Sequence, residues 1–492
     1  MVLWVGGLGW RLPAGAHGGG DALDARLEAA LRRAGFTGTI ESTLERRLGR
    51  SVDERLADVG RLLFFDNVLG LHEDNSCAGC HSPGFAFGDS QSIAIGVQNN
   101  AIVGPNRTGP RNQRKAPPVI NSAFYPKLML NSRFAAVSGD PFDNSLGFQF
   151  PAPEGTTRFP AGDPRFPTLL AAQGHIPETE LVEMAGFNGA SRNPLFHPKF
   201  QQFDDGLGTR LPRDRDGDGF LNEEIRTVVL RKLNDIPEYV SRFAEIFDDG
   251  RPRRFRITFA MVGLALSEFQ TSMTFANAPI DRFARGNRRA MTTRQQRGAL
   301  LFFGGAGCVT CHAVGANEMF SDFENHVLGV PQLAPAFGVG TGNVAFDGPA
   351  GDEDFGAEQI SGDAADRYRF RSSPLRNVGL QPAFFHNGAF TELEDAIRHH
   401  LDTLRSAREY DPVDAGVDAD LQVHRGPIEP VLERLDPRMR RPIRLSHQAF
   451  ADLTAFVRDG LLDPRAGPEH VCRLIPPTVP SGLPVALFEG CE

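Results

Sequence analysis

Tryptophan is nearly absent: the chain has two, Trp4 and Trp10, and none beyond the first ten positions. Tyrosine is almost as rare, four residues against 38 Phe. The body of the protein therefore has no indole to carry an electron hole. Long apolar runs are missing too, and none approaches the ~18 to 20 residues of a membrane-spanning helix. Basic charge is in deficit, with 52 Lys and Arg against 61 Asp and Glu and a net charge of −9. That balance excludes the basic footprint of a nucleic-acid-binding protein. What remains is an ordinary globular composition, 41% hydrophobic and 23% charged. At 492 residues the chain is too long for one compact core and predicts two or more domains. Its 53 Gly and 36 Pro predict many turns and loops.

Cysteine is sparse, and its spacing is the strongest signal. Four of the six Cys form two Cys-x-x-Cys-His units, Cys77–Cys80–His81 and Cys308–Cys311–His312. This is the attachment pattern of c-type haem. Two thiols add across the haem vinyl groups, and the adjacent His becomes the proximal iron ligand. A zinc site would draw four ligands from nearby pairs, and a redox dithiol has no use for the His. Two covalently bound haem c groups are therefore expected. Haem c is assembled outside the cytoplasm, so a periplasmic location is expected, where a Cys472–Cys491 disulfide would persist. Residues 2–10 are apolar but short, and Ala14-Gly15-Ala16 resembles a cleavage site.

Apolar spacing predicts helices over residues 22–33, 51–65 and 256–275. Between residues 83 and 164 the chain is rich in Gly, Pro, Asn and Phe and reads as ordered loop. A helix, a haem motif and a long loop occur in that order twice. The expected fold is mostly α, with two cytochrome c-like domains, one haem c in each, long loops and little sheet. The expected organisation is a leader and N-terminal helix (1–50), a first haem domain (51–274), a second (275–465) and a Pro-rich tail (466–492).

Several stretches resemble the bacterial dihaem cytochrome c peroxidases and their relative MauG. They are Gly60-Arg61-Leu62-Leu63-Phe64-Phe65-Asp66, Ala116-Pro117-Pro118-Val119-Ile120-Asn121-Ser122-Ala123-Phe124, Arg369-Phe370-Arg371-Ser372-Ser373-Pro374-Leu375-Arg376-Asn377-Val378 and Phe385-His386-Asn387-Gly388. The resemblance covers about residues 51–460. It implies a peroxide pocket at the first haem, in which Gln173, Pro177 and Glu183, followed by Met184, match the family spacing. Glu183 would move a proton from the inner to the outer peroxide oxygen, and Gln173 would hydrogen-bond the peroxide. The bland alternative is that both are surface residues of a helix.

The chain also departs from the family. No His lies between His81 and His175, so the loop at Gly96-Val97-Gln98 cannot cap the first iron, which is expected to be open. His175 is expected to stay off the iron. At the second haem, the family's Met or Tyr position falls on His400, giving a His312–His400 axial pair with His399 as the fallback. Such a pair also serves the second haem of the rubber oxygenases. Replacing Met by His lowers the potential. The usual inter-haem Trp is Leu130, while Arg133 is retained as a candidate propionate partner. Lys115 stands where the family has an Asn ligand to Ca²⁺, and its ammonium could replace that cation. A separate EF-hand-like turn offers Asp214, Asp216, Asp218, Asn222 and Glu224 to Ca²⁺, with the Glu one place early.

The function expected is peroxide reduction, with hydrogen peroxide as substrate and a small cytochrome c or cupredoxin as donor. The resemblance implies a homodimer as the assembly. A MauG-like or oxygenase-like enzyme is the alternative, and a two-haem electron carrier the third.

Overall fold

The computed structural model describes residues 18–196, 198–248, 255–315, 317–338 and 346–491. The apolar residues 2–10 and Ala14-Gly15-Ala16 lie outside them. The fold is mostly helical, and its strands are two or three residues long. Lys127–Leu128, Phe134–Ala136 and Phe148–Gln149 form an antiparallel sheet. Asn325–His326 pairs antiparallel with Phe370–Arg371, and Ile102–Val103 pairs parallel with Leu487–Phe488. Most of residues 83–164 is irregular, as the Gly and Pro content predicts.

The helices that matter are built the same way in both halves. Glu54–Phe65 starts at Asp53, whose carboxylate accepts from the Arg55 and Leu56 amides. Its face of Leu56, Val59, Leu62 and Leu63 is buried against Phe259–Ser272, which Thr258 caps. Thr293–Phe302 starts with a capping box, Thr292 with Gln295, and packs on His447–Ala455. Each pair crosses at a glycine. A Cβ at Gly60 would lie 1.9 Å from the Ala265 carbonyl oxygen, and one at Gly298 would lie 2.0 Å from that of Asp452. The Phe four residues further on then reaches the haem-motif histidine. Phe64 lies 6.4 Å from the His81 ring, and Phe302 lies 6.4 Å from the His312 ring.

The two ends of the chain cross over. Leu27, Leu31 and Phe36, near the N-terminus, join the core around the Thr293–Phe302 helix. Val471, Val479 and Phe488, in the Pro-rich tail, join the core around the Glu54–Phe65 helix. Cys472 and Cys491 form a disulfide in that tail. Among the described residues, no helix is long and apolar enough to cross a membrane.

Overpacking at either helix crossing would cost about 1–3 kcal/mol. Gly60→Ala and Gly298→Ala are each expected to lower the unfolding midpoint in a thermal melt. Gly305→Ala, whose Cβ would meet nothing within 4 Å, should leave it unchanged.

Candidate functional site

A cavity of about 1350 Å³, counting its mouth, opens beside the first motif. Cys77, Cys80 and His81 line it, together with Gln173, Pro177, Glu183 and Met184 from a segment about a hundred residues later. Gln173 ends the short helix Leu169–Gln173, which Thr168 caps. Glu183 sits in a single wide helical turn, Leu181–Ala185. Its position is set from outside that turn. Asn75 Nδ2 donates to the Glu183 carbonyl at 2.8 Å, and Val97 N donates to the Val182 carbonyl at 3.1 Å. Gly96 makes this approach feasible, since a Cβ there would lie 2.0 Å from the Val182 oxygen. The loop that cannot supply an iron ligand thus braces Glu183.

Electrostatics at this cavity favour a protonated carboxyl. Burial pushes the Glu183 pKa up to about 8; neighbouring Glu180 adds to the rise, and Arg133 opposes it. Glu178 is fully buried with no hydrogen-bond partner on either oxygen, and burial lifts it to about 8 as well. Arg133, the candidate propionate partner, lines the cavity and donates to Glu180 Oε1 at 2.6 Å. This pair lines both the first cavity and an adjoining one of about 1060 Å³. His175 does not line the cavity. It is buried against Phe159, Phe166 and Phe259, its Nδ1 lies 3.2 Å from the Ala171 carbonyl, and burial lowers its pKa to about 3. Among the described residues lining the first cavity, His81 is the only His.

The second cavity, about 1690 Å³, is lined by Cys308, Cys311, His312 and His400. The His312 and His400 ring centroids are 6.1 Å apart. Two imidazoles on opposite sides of one metal, with bonds of about 2 Å, have centroids about 6 Å apart. Each Nδ1 is tied to a backbone carbonyl, His312 to Phe320 at 3.0 Å and His400 to Ala396 at 2.8 Å. That leaves Nε2 as the metal-facing nitrogen. His399 is spent elsewhere: its Nδ1 lies 3.1 Å from Ser406 Oγ and its Nε2 lies 2.9 Å from the Leu328 carbonyl. Burial lowers the pKa of His81 and of His312 to about 4, so each ring is neutral with a lone pair to offer. The donor sets fit two c-type haems.

Leu130 and Arg371 line both haem cavities and so form part of the wall between them. Lys115 is buried at the first cavity, where its Nζ donates to Gln381 Oε1 at 2.9 Å with Asp89 close by, and burial lowers its pKa to about 8. Sequence reasoning missed Asn75, Glu178, Glu180 and Arg371. Asn75 and Glu180 lie in no short motif, Arg371 lies in a recognisable stretch whose place at the cavities only the fold shows, and Glu178 lines no cavity but acts on Glu183 from nearby. The EF-hand-like turn brings the Asp214, Asp216 and Asp218 carboxylates within 4.8 Å of one another. Of its other two members, Asn222 turns away while Glu224 reaches back to the turn, and the backbone of the turn itself binds Asp214. Asn222 donates to Glu154 and Thr179, Glu224 accepts from the Arg215 amide, and Asp214 accepts from the Gly217 and Gly219 amides.

Two cavities, each with a covalent attachment turn and a neutral histidine, define a dihaem c-type protein. The family model described as di-haem cytochrome c peroxidase matches residues 54–289. The cytochrome c551 peroxidase of Pseudomonas aeruginosa is 26% identical over 350 residues, 71% of this chain and 72% of that protein. The methylamine utilization protein MauG of Methylorubrum extorquens is 25% identical over 377 residues, 77% of this chain and 75% of that protein. The crystal structure of a MauG-like protein associated with microbial copper homeostasis shares the fold. Its TM-score is 0.52 at 20% identity, covering 85% of this chain and 91% of the other. Residues 54–289 carry the di-haem cytochrome c peroxidase family's pattern, and the chain is an oxidoreductase similar to cytochrome c peroxidases and to MauG.

His400→Ala is expected to convert the second haem from a low-spin to a high-spin absorption and EPR spectrum. His399→Ala should keep the low-spin spectrum.

Proposed function

We propose that the protein reduces hydrogen peroxide to two waters at the first haem, taking two electrons and two protons per turnover. The convergence of Gln173, Pro177 and Glu183 on the cavity of Cys77, Cys80 and His81 carries this reading. Haem iron, when bound, supplies the redox centre on which the peroxide bond breaks. The chain supplies the rest. Glu183 accepts the proton of the inner peroxide oxygen and returns it to the outer one, so that water can leave. Gln173 orients the peroxide, and Pro177 shapes the wall beside it. Arg133 offsets the charge of Glu180, which would otherwise make ionisation of Glu183 still harder. Electrons from a small cytochrome c or cupredoxin enter at the second haem, held by His312 and His400. The acidic surface suits a basic donor. A periplasmic location follows from the covalent haems, and a homodimer from the family resemblance.

A second reading has the same cavity oxidising a protein or organic substrate, as a MauG-like or oxygenase-like enzyme. The His–His pair favours it, because a low-potential second haem is a poor reservoir for reductive activation. Steady turnover of a reduced donor with peroxide separates the two. Peroxidase activity requires it, and a mass shift on a protein substrate with slow donor turnover would favour the second. An electron carrier has no need of Glu183.

Glu183→Gln is expected to slow peroxide consumption by at least about 100-fold in stopped-flow assays. The carboxylate is the form that accepts a proton. The wild-type rate should therefore rise with pH through an inflection near the pKa of about 8, and the variant should lack that inflection.

A further inference from the structure

Five basic side chains line the two haem cavities: Arg114, Lys115, Arg133, Arg371 and Arg438. Four have an acidic neighbour within the protein. Arg114 pairs with Asp354 at 2.6 Å, Arg133 with Glu180 at 2.6 Å, Arg438 with Asp436 at 2.8 Å, and Lys115 has Asp89 close by. Arg371 has none among the described residues. It is 4% exposed, and its side chain donates only to neutral carbonyls, Met129 at 3.0 Å and Ser372 at 3.3 Å. Tyr125 and Phe323 face its guanidinium, with ring centroids 5.8 and 5.4 Å from Cζ.

A buried cation without a counter-charge is costly, so such groups are retained where an anion completes them. Arg371 is held stiffly in place, since its amide donates to the Leu130 carbonyl at 2.7 Å and its strand pairs with Asn325–His326. It lines both cavities at the one wall they share, beside Leu130. Haem carries two propionate carboxylates, and a guanidinium fork binds carboxylates well.

We propose that Arg371 is the common counter-cation of the two haems, pairing with a propionate from each cavity and coupling the two irons across the wall at Leu130. The proposal rests on haem occupying both cavities and goes beyond the peroxidase reading. A positive charge near a haem favours the reduced iron, which carries one positive charge less. Arg371 therefore raises both potentials. Reduction of either haem weakens the field that draws an electron to the other.

The test is redox titration of the holoprotein, with covalent haem counted by intact mass and pyridine haemochrome. In Arg371→Gln and Arg371→Met, both midpoint potentials are expected to fall while the two haems per chain and the low-spin signal persist. Arg371→Lys, which keeps the charge, should restore most of both shifts and remains informative if the neutral variants do not fold. Wild-type potentials in a neutral variant, or a shift confined to one haem, would overturn the proposal. Both potentials falling in Arg371→Lys as far as in the neutral variants would also overturn it. Fewer than two covalent haems in the wild type would instead overturn the two-haem reading, and this proposal with it.

Discussion

Close helix crossing at Gly60 and at Gly298 sets where each Cys-x-x-Cys-His turn lies. With backbones this near, a Cβ would strike the opposite carbonyl, so the crossing is a steric requirement on one residue in each half. The crossing brings Phe64 and Phe302 to the same 6.4 Å from their histidines. The cavities form beside those aromatic cores. Burial then does chemical work, because an imidazole stripped of water stays neutral and keeps its lone pair for a metal.

From this shared frame the halves diverge. The second cavity closes with His400 opposite His312. The first has no second histidine among its described lining residues, and a half-buried carboxyl, Glu183, faces it. Under the proposed function, the first site keeps an iron face free and handles protons. The second site has no carboxylate lining it among the described residues, which agrees with the electron passage proposed for it. Between them stand Leu130, which is inert, and Arg371, which is charged.

The haem attachment motifs and the helices within 51–65 and 256–275 were legible because local pattern encodes them, whereas Gln173 and Glu183 were picked out only by the family resemblance. The choice between His399 and His400 was narrowed only by counting from the stretch that resembles the family. It took the third dimension to show His399 spent on Ser406 and Leu328. Arg133 was read as a candidate propionate partner from the family resemblance, and its pairing with Glu180 was not legible because the two are 47 residues apart. The crossing of the chain ends was hidden for the same reason. Val471, Val479 and Phe488 carry no sign of the core they join, nor does Leu27. Arg371 belonged to a recognisable stretch, but its lack of a carboxylate is a property of its surroundings.

The central claim is that two haems sit in unlike sites, one open and one closed by two histidines. EPR of the fully oxidised protein, before and after one equivalent of hydrogen peroxide, tests it most directly. The account predicts a high-spin signal that disappears with peroxide beside a low-spin bis-histidine signal. Two low-spin signals untouched by peroxide would contradict it.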